Sequence, residues 1–192
     1  MTITINQNGA TYSIYKDLQT KEQEPDFTAK DTSSGWIWDG KEANIYDRNK
    51  KELGYVWFKI RLFRPSQLQF ILTENCKPKT YEPENIWNLK DRMFKFNYND
   101  STYVFQEHRG HSCSLFKNEI QVAAFEKRMF NFFEHDVFRI YANNDENPIL
   151  LSCLALYSDI GSYNNGNIAT LNIGNINGSN PPLAGKWRPT KF

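Results

Sequence analysis

Three cations stand close together at Lys59, Arg61 and Arg64. Residues two apart on an extended strand share a face, so Lys59 and Arg61 point the same way and Arg64 follows just beyond. Guanidinium and ammonium groups grip phosphate oxygens through charge-assisted hydrogen bonds, which gives this cluster the chemistry of an anion cradle. The plainer alternative is a strand end whose charges stay in water and discourage edge-to-edge pairing.

Other constellations carry less chemistry. His108 and His111 flank Arg109-Gly110, and a two-residue hairpin there would set the rings about 5 Å apart at Cβ. Cys113 and His135 could join them from neighbouring strands, but the spacing matches no standard zinc motif, and zinc needs three or four ligands in one geometry. His111 and Cys113 share a strand face, yet nothing marks a third group to orient them for nucleophilic catalysis. Asp136 sits where a turn or strand start favours Asp, Asp159 lies near a helix end, and the acidic stretch Asn143–Asn147 lacks an EF-hand pattern. There is no G-x-S-x-G, no P-loop and no G-x-G-x-x-G. The expectation is no catalytic residue, no metal and no cofactor: a protein that is not an enzyme. Trp36, Trp38, Trp57 and Trp87 could stack a ligand or single-stranded bases, but aromatic rings in β proteins mostly fill cores. A net charge of +1 supplies no global field for nucleic acid.

The elements that must position these residues read as one domain, since 192 residues fall within the usual range of about 100–200 per domain. An aromatic content of 15% suits pleated, half-buried surfaces and leans the chain toward β. Cys76, Cys113 and Cys153 lie far apart with no C-x-x-C, so reduced thiols in a cytoplasmic protein are expected. The start Met1–Asn6 has no basic, apolar leader, and the apolar run Ile149–Tyr157 is too short to span a bilayer.

Thr2–Ile5 and Thr11–Tyr15 alternate around Asn8-Gly9, a hairpin signature. Lys16–Asp31 and Asn75–Pro83 read as surface loops. Strands are expected over Gly35–Trp38, Ala43–Asp47, Gly54–Ile60, Gln67–Thr73, Ile86–Leu89, Met93–Tyr98, Thr102–Glu107, Ser112–Phe116, Glu119–Phe125, Arg128–Phe133 and Val137–Tyr141. Asn147 can then cap a helix that opens at Pro148 and stops near Gly161. That helix is apolar nearly all round, which implies burial on most sides.

Two hairpins echo each other: Asn44-Ile45-Tyr46-Asp47 with Leu53-Gly54-Tyr55-Val56, and Ser114-Leu115-Phe116-Lys117 with Ile120 to Ala123. The hairpins Ile45–Gly54 and Leu115–Ala123, with Phe133–Ile140 and an apolar helix ending in Asp159, resemble the tubby C-terminal-like superfamily, including its LURP-one-related and phospholipid scramblase-like families, over about Gly35 to Ser162. The resemblance implies a closed β-barrel threaded by the hydrophobic helix. Tubby proteins bind phosphoinositide headgroups through basic residues, and Lys59, Arg61 and Arg64 are similar in type. The proline-rich N-terminus, cysteine cluster and membrane-anchoring end of scramblase-like members are not visible here.

Residues 1–163 are thus expected to form a mostly β domain, a closed antiparallel barrel around one buried helix at about 148–160. Residues 164–192 are expected as an Asn/Gly-rich C-terminal segment that could add one strand before an extended tail. The expected function is non-enzymatic binding of an anionic lipid headgroup at Lys59, Arg61 and Arg64, or of a small apolar ligand, at a membrane surface. The alternative is a protein-interaction or adaptor domain that uses the loops Lys16–Asp31 and Asn75–Pro83 and the C-terminal tail.

Overall fold

The computed structural model describes residues 1–20, 22–33, 40–59, 67–87, 92–108, 112–128, 137–162 and 187. Its strands are β1 (Thr2–Asn8), β2 (Thr11–Lys16), β3 (Phe27–Asp31), β4 (Lys41–Asp47), β5 (Glu52–Lys59), β6 (Gln67–Glu74) and β7 (Lys77–Tyr81), then β8 (Glu84–Trp87), β9 (Arg92–Tyr98), β10 (Ser101–His108), β11 (Ser112–Lys117), β12 (Ile120–Arg128) and β13 (Val137–Ala142). One helix, α1 (Pro148–Ser162), follows. The strands form one antiparallel sheet in the order β7-β6-β5-β4-β3-β2-β1-β13-β12-β11-β10-β9-β8.

Short turns set the registers. Both central residues of Asn75-Cys76, Asn99-Asp100 and Asn118-Glu119 have positive φ, the two-residue turn whose twist matches that of the flanking strands. Asn and Asp tolerate this region; Cys76 and Glu119 take it under the constraint of the hairpin. The two echoed hairpins share an irregularity: β4–β5 shifts register between Ile45 and Tyr46, and β11–β12 shifts between Leu115 and Phe116. The segments expected to be loops contain strands. Lys16–Asp31 holds β3, and Asn75–Pro83 holds β7. Pro78 sits at an edge position whose missing N–H is not needed by β6.

Helix α1 lies inside the curl of this sheet. The Asn147 side chain accepts from the amides of Ile149 at 2.8 Å and Leu150 at 3.3 Å, which caps the helix with Pro148 in its first position. Residues 150–160 are buried without exception. The Tyr157 ring touches Phe58 of β5, Phe94 of β9 and Phe105 of β10, with centroids 4.9, 5.2 and 6.0 Å away. Tyr12 of β2 and Lys127 of β12 also reach the helix, so both halves of the sheet wrap it. Burying each Leu or Ile of the helix contributes about 1.5–3 kcal/mol.

The helix runs two residues beyond the expected end, to Ser162. The hydrogen-bonded ladder, by contrast, does not close: β7 and β8 are the two edges of the sheet. All twelve pairings are antiparallel, so these edge strands run in the same direction. Only Glu82-Pro83 separates them. The run 77–87 spends its first half pairing with β6 and its second half pairing with β9. It leaves a seam between β7 and the end of β9, where no ladder forms.

Candidate functional site

A groove of about 820 Å³ opens along this seam, lined among others by Lys79, Tyr81, Glu84, Lys95, Tyr98 and Asp100. Strand alternation decides which side chain goes where. Tyr81, Phe96 and Tyr98 turn inward and are buried, while Glu82, Glu84, Lys95 and Asn97 turn outward and are exposed. The groove therefore has an aromatic floor beneath polar walls.

The floor is tied down from below. The Tyr81 and Tyr98 rings meet with centroids 5.5 Å apart, and Phe70 of β6 packs on Tyr81 at 5.2 Å and on Phe96 at 5.1 Å. The Tyr81 hydroxyl donates to Glu74 at 3.1 Å, and the Tyr98 hydroxyl accepts from the capping residue Asn147 at 2.7 Å. Burial, and then the Glu74 carboxylate, push the Tyr81 phenol well above its ordinary value. Burial pushes Tyr98 the same way, so both stay neutral. The Lys79 ammonium lies 5.2 Å above the Tyr81 ring, a distance at which the ring's negative face attracts a cation.

The expected site residues fare differently. Lys59 ends β5, partly exposed on the outer face with Tyr55 and Trp57, and pairs in register with Gln67. Arg61 and Arg64 lie outside the described residues, as do Trp36, Trp38, His111, His135 and Asp136. Cys113 points inward, with Sγ 3.6 Å from Ser158 Oγ of the helix. Burial, with Glu107 nearby, pushes its thiol up, which makes it a poor nucleophile. His108 instead bonds Ser114 at 2.8 Å, the neighbour of Cys113 and therefore on the opposite face. Among the described residues no group of three or more His, Cys, Asp or Glu side chains gathers as metal ligands. No described helix is long and apolar enough to cross a membrane.

Asp159 does join an ionic cluster, though with partners that residue spacing had not singled out. Its carboxylate accepts from Lys127 Nζ and from the Tyr12 hydroxyl, each at 2.7 Å, and both charged side chains are almost fully buried. Two residues earlier on the helix, the Tyr157 hydroxyl donates to Glu107 of β10 at 3.0 Å. The available signal was alternation. In Ala123-x-Phe125-x-Lys127 and Tyr103-x-Phe105-x-Glu107, a charge occupies the next inward position after two core residues. The groove was less legible, because Lys77-Pro78-Lys79 resembles a loop.

Comparison with protein-family models, with curated proteins and with solved structures finds no match to this chain.

Proposed function

We propose that the chain is a non-enzymatic binding module of the protein-interaction class, and that the seam groove is its contact surface. The observation that carries this reading is the groove itself: a polar-walled, aromatic-floored opening at the break in the ladder, with one wall from the Asn75–Pro83 segment and the other from β9. Tyrosine floors suit protein partners, since they offer rigid contact area and a polar tip. The centre of the sheet suits a small apolar ligand less, because α1 and its aromatic neighbours occupy it. The resemblance to tubby-like proteins fits the module reading. In it, the run 77–87 acts as a single staple that makes the curled sheet a barrel in effect.

Selection of a random peptide library on the immobilised protein tests the proposal. Enriched peptides should lose about tenfold or more in affinity for an Asn97→Arg variant, whose long side chain fills the groove. A failure to enrich any groove-sensitive peptide overturns the proposal.

Binding of an anionic lipid headgroup is the second reading. It is favoured by the partly exposed ammonium of Lys59 at the end of β5, with Arg61 and Arg64 close in sequence. Flotation with anionic vesicles that is salt-sensitive and weakened by Lys59→Glu would support it. No flotation on any vesicle would remove it.

A further inference from the structure

The backbone along the seam narrows the kind of partner. In a two-residue hairpin the residues flanking the turn form a hydrogen-bonded pair, and bonding then alternates along the ladder. On β7, whose turn is Asn75-Cys76, the peptide groups of Lys77, Lys79 and Tyr81 face β6. Those of Pro78 and Thr80 face the seam, and Glu82 continues the alternation. On β9, whose turn is Asn99-Asp100, Tyr98 and Phe96 bond to β10 and Asn97 faces the seam. Where β8 begins, Glu84 stands opposite Lys95. Continuing that register places Glu82 opposite Asn97 and Tyr81 opposite Tyr98. The two tyrosine rings do meet, while no backbone hydrogen bond joins Thr80 or Glu82 to β9. Unpaired donors and acceptors thus line both walls of one groove.

We propose that the partner is an extended peptide segment of another protein that adds as a strand in this seam, pairing with Thr80 and Glu82 on one wall and Asn97 on the other. This rests on the interaction-module reading and specifies its ligand. Main-chain hydrogen bonds give such binding its affinity, and alternate side chains give it selectivity. The Tyr81 and Tyr98 rings already touch beneath the groove, so the inward residues of the peptide should be small. Its outward residues meet Glu84, Lys95 and Asn97 and should be polar. A second copy of this chain fits poorly, because antiparallel pairing of two β7 edges would bring Lys77 and Lys79 of one copy against those of the other. Pro78 also denies that edge one of its donors.

The test uses amide hydrogen exchange on the full chain, together with a peptide enriched from the random library. In the free protein the amides of Thr80, Glu82 and Asn97 should exchange much faster than those of Lys79, Tyr81 and Phe96. Adding the peptide should slow all three. Single N-methylation along the peptide should weaken binding about tenfold at every second residue and little between. Thr80→Pro removes one seam-facing donor without touching the β6 ladder, and should cost a comparable factor. Groove-sensitive binding without the period-two pattern, and without new protection, overturns strand addition while leaving the module reading intact. Protection of Glu82 and Asn97 in the free protein would show that the seam zips on itself, which also overturns it. If the library yields no binder, the module reading fails and this inference fails with it.

Discussion

A charge inside a β-wrapped core has few ways to be stable, and Asp159 has two partners for its carboxylate. Lys127 reaches it from β12 and Tyr12 from β2, so one side chain at the end of the helix is tied to strands on both sides of β1. The position is a demanding one, because the C-terminal end of a helix carries partial negative charge and disfavours an anion. Breaking a buried pair by removing one partner costs about 3–5 kcal/mol, whereas replacing both with apolar groups of similar size can be neutral or better. We therefore predict that Asp159→Ala or Lys127→Ala lowers unfolding stability by about 3–5 kcal/mol in urea titrations, and that the double variant Lys127→Met with Asp159→Leu recovers most of it. Single variants within 1 kcal/mol or so of the parent would show that the pair is not what holds this end of the helix. The lysine was legible as an inward slot of the alternation. Its partnership with Asp159, 32 positions away, was not, because spacing along the chain carries no information about which inward positions face the same turn of the helix.

At the scale of elements, the helix packs tightly on β5 at Gly54. A Cβ built there would lie 2.8 Å from Ile149 Cγ2 and 3.2 Å from Cys153 Sγ. The glycine is therefore required by contact rather than by backbone conformation. Overpacking of this kind typically costs about 1–3 kcal/mol, so Gly54→Ala should lower the thermal midpoint measurably, and Ile149→Ala added to it should restore part of the loss. Equal midpoints for Gly54→Ala and the parent would mean that the helix shifts freely against β5. The helix itself was legible from its cap, its proline and its unbroken apolar run. Its last residues were not, because Gly161 marks an end only where the following chain turns away, and here one more residue stays helical. β3 and β7 went unseen in segments rich in charge and proline. Edge and half-exposed strands need no continuous apolar alternation, and Pro78 is tolerated on the side of β7 that faces away from β6.

For the molecule as a whole, two buried tyrosines bonded to carboxylates, Tyr103 to Glu146 before the helix and Tyr81 to Glu74 on β6, predict an alkaline limit to stability. Burial, and then the carboxylates of Glu146 and Glu74, raise the phenols of Tyr103 and Tyr81 above their ordinary value of 10. Above about pH 10 the unfolded chain loses these protons while the folded chain keeps them, so the folded state binds more protons and stability falls as pH rises. Thermal midpoints should therefore decline above that pH. Tyr103→Phe, which cannot ionise, should start lower at neutral pH but decline less steeply; parallel slopes would exclude Tyr103 from the effect. By itself the sequence determined the class of the fold: strands by alternation, tight turns by Asn and Asp, and one buried helix by its lack of a polar face. These are local patterns, repeated every two or every 3.6 residues. Only the tertiary structure decided that the run 77–87 would divide its hydrogen bonds between β6 and β9. That left the ring of strands unclosed and placed a groove at the seam. The division depends on which strands meet after the sheet has curled round the helix, and no pattern within the run specifies it.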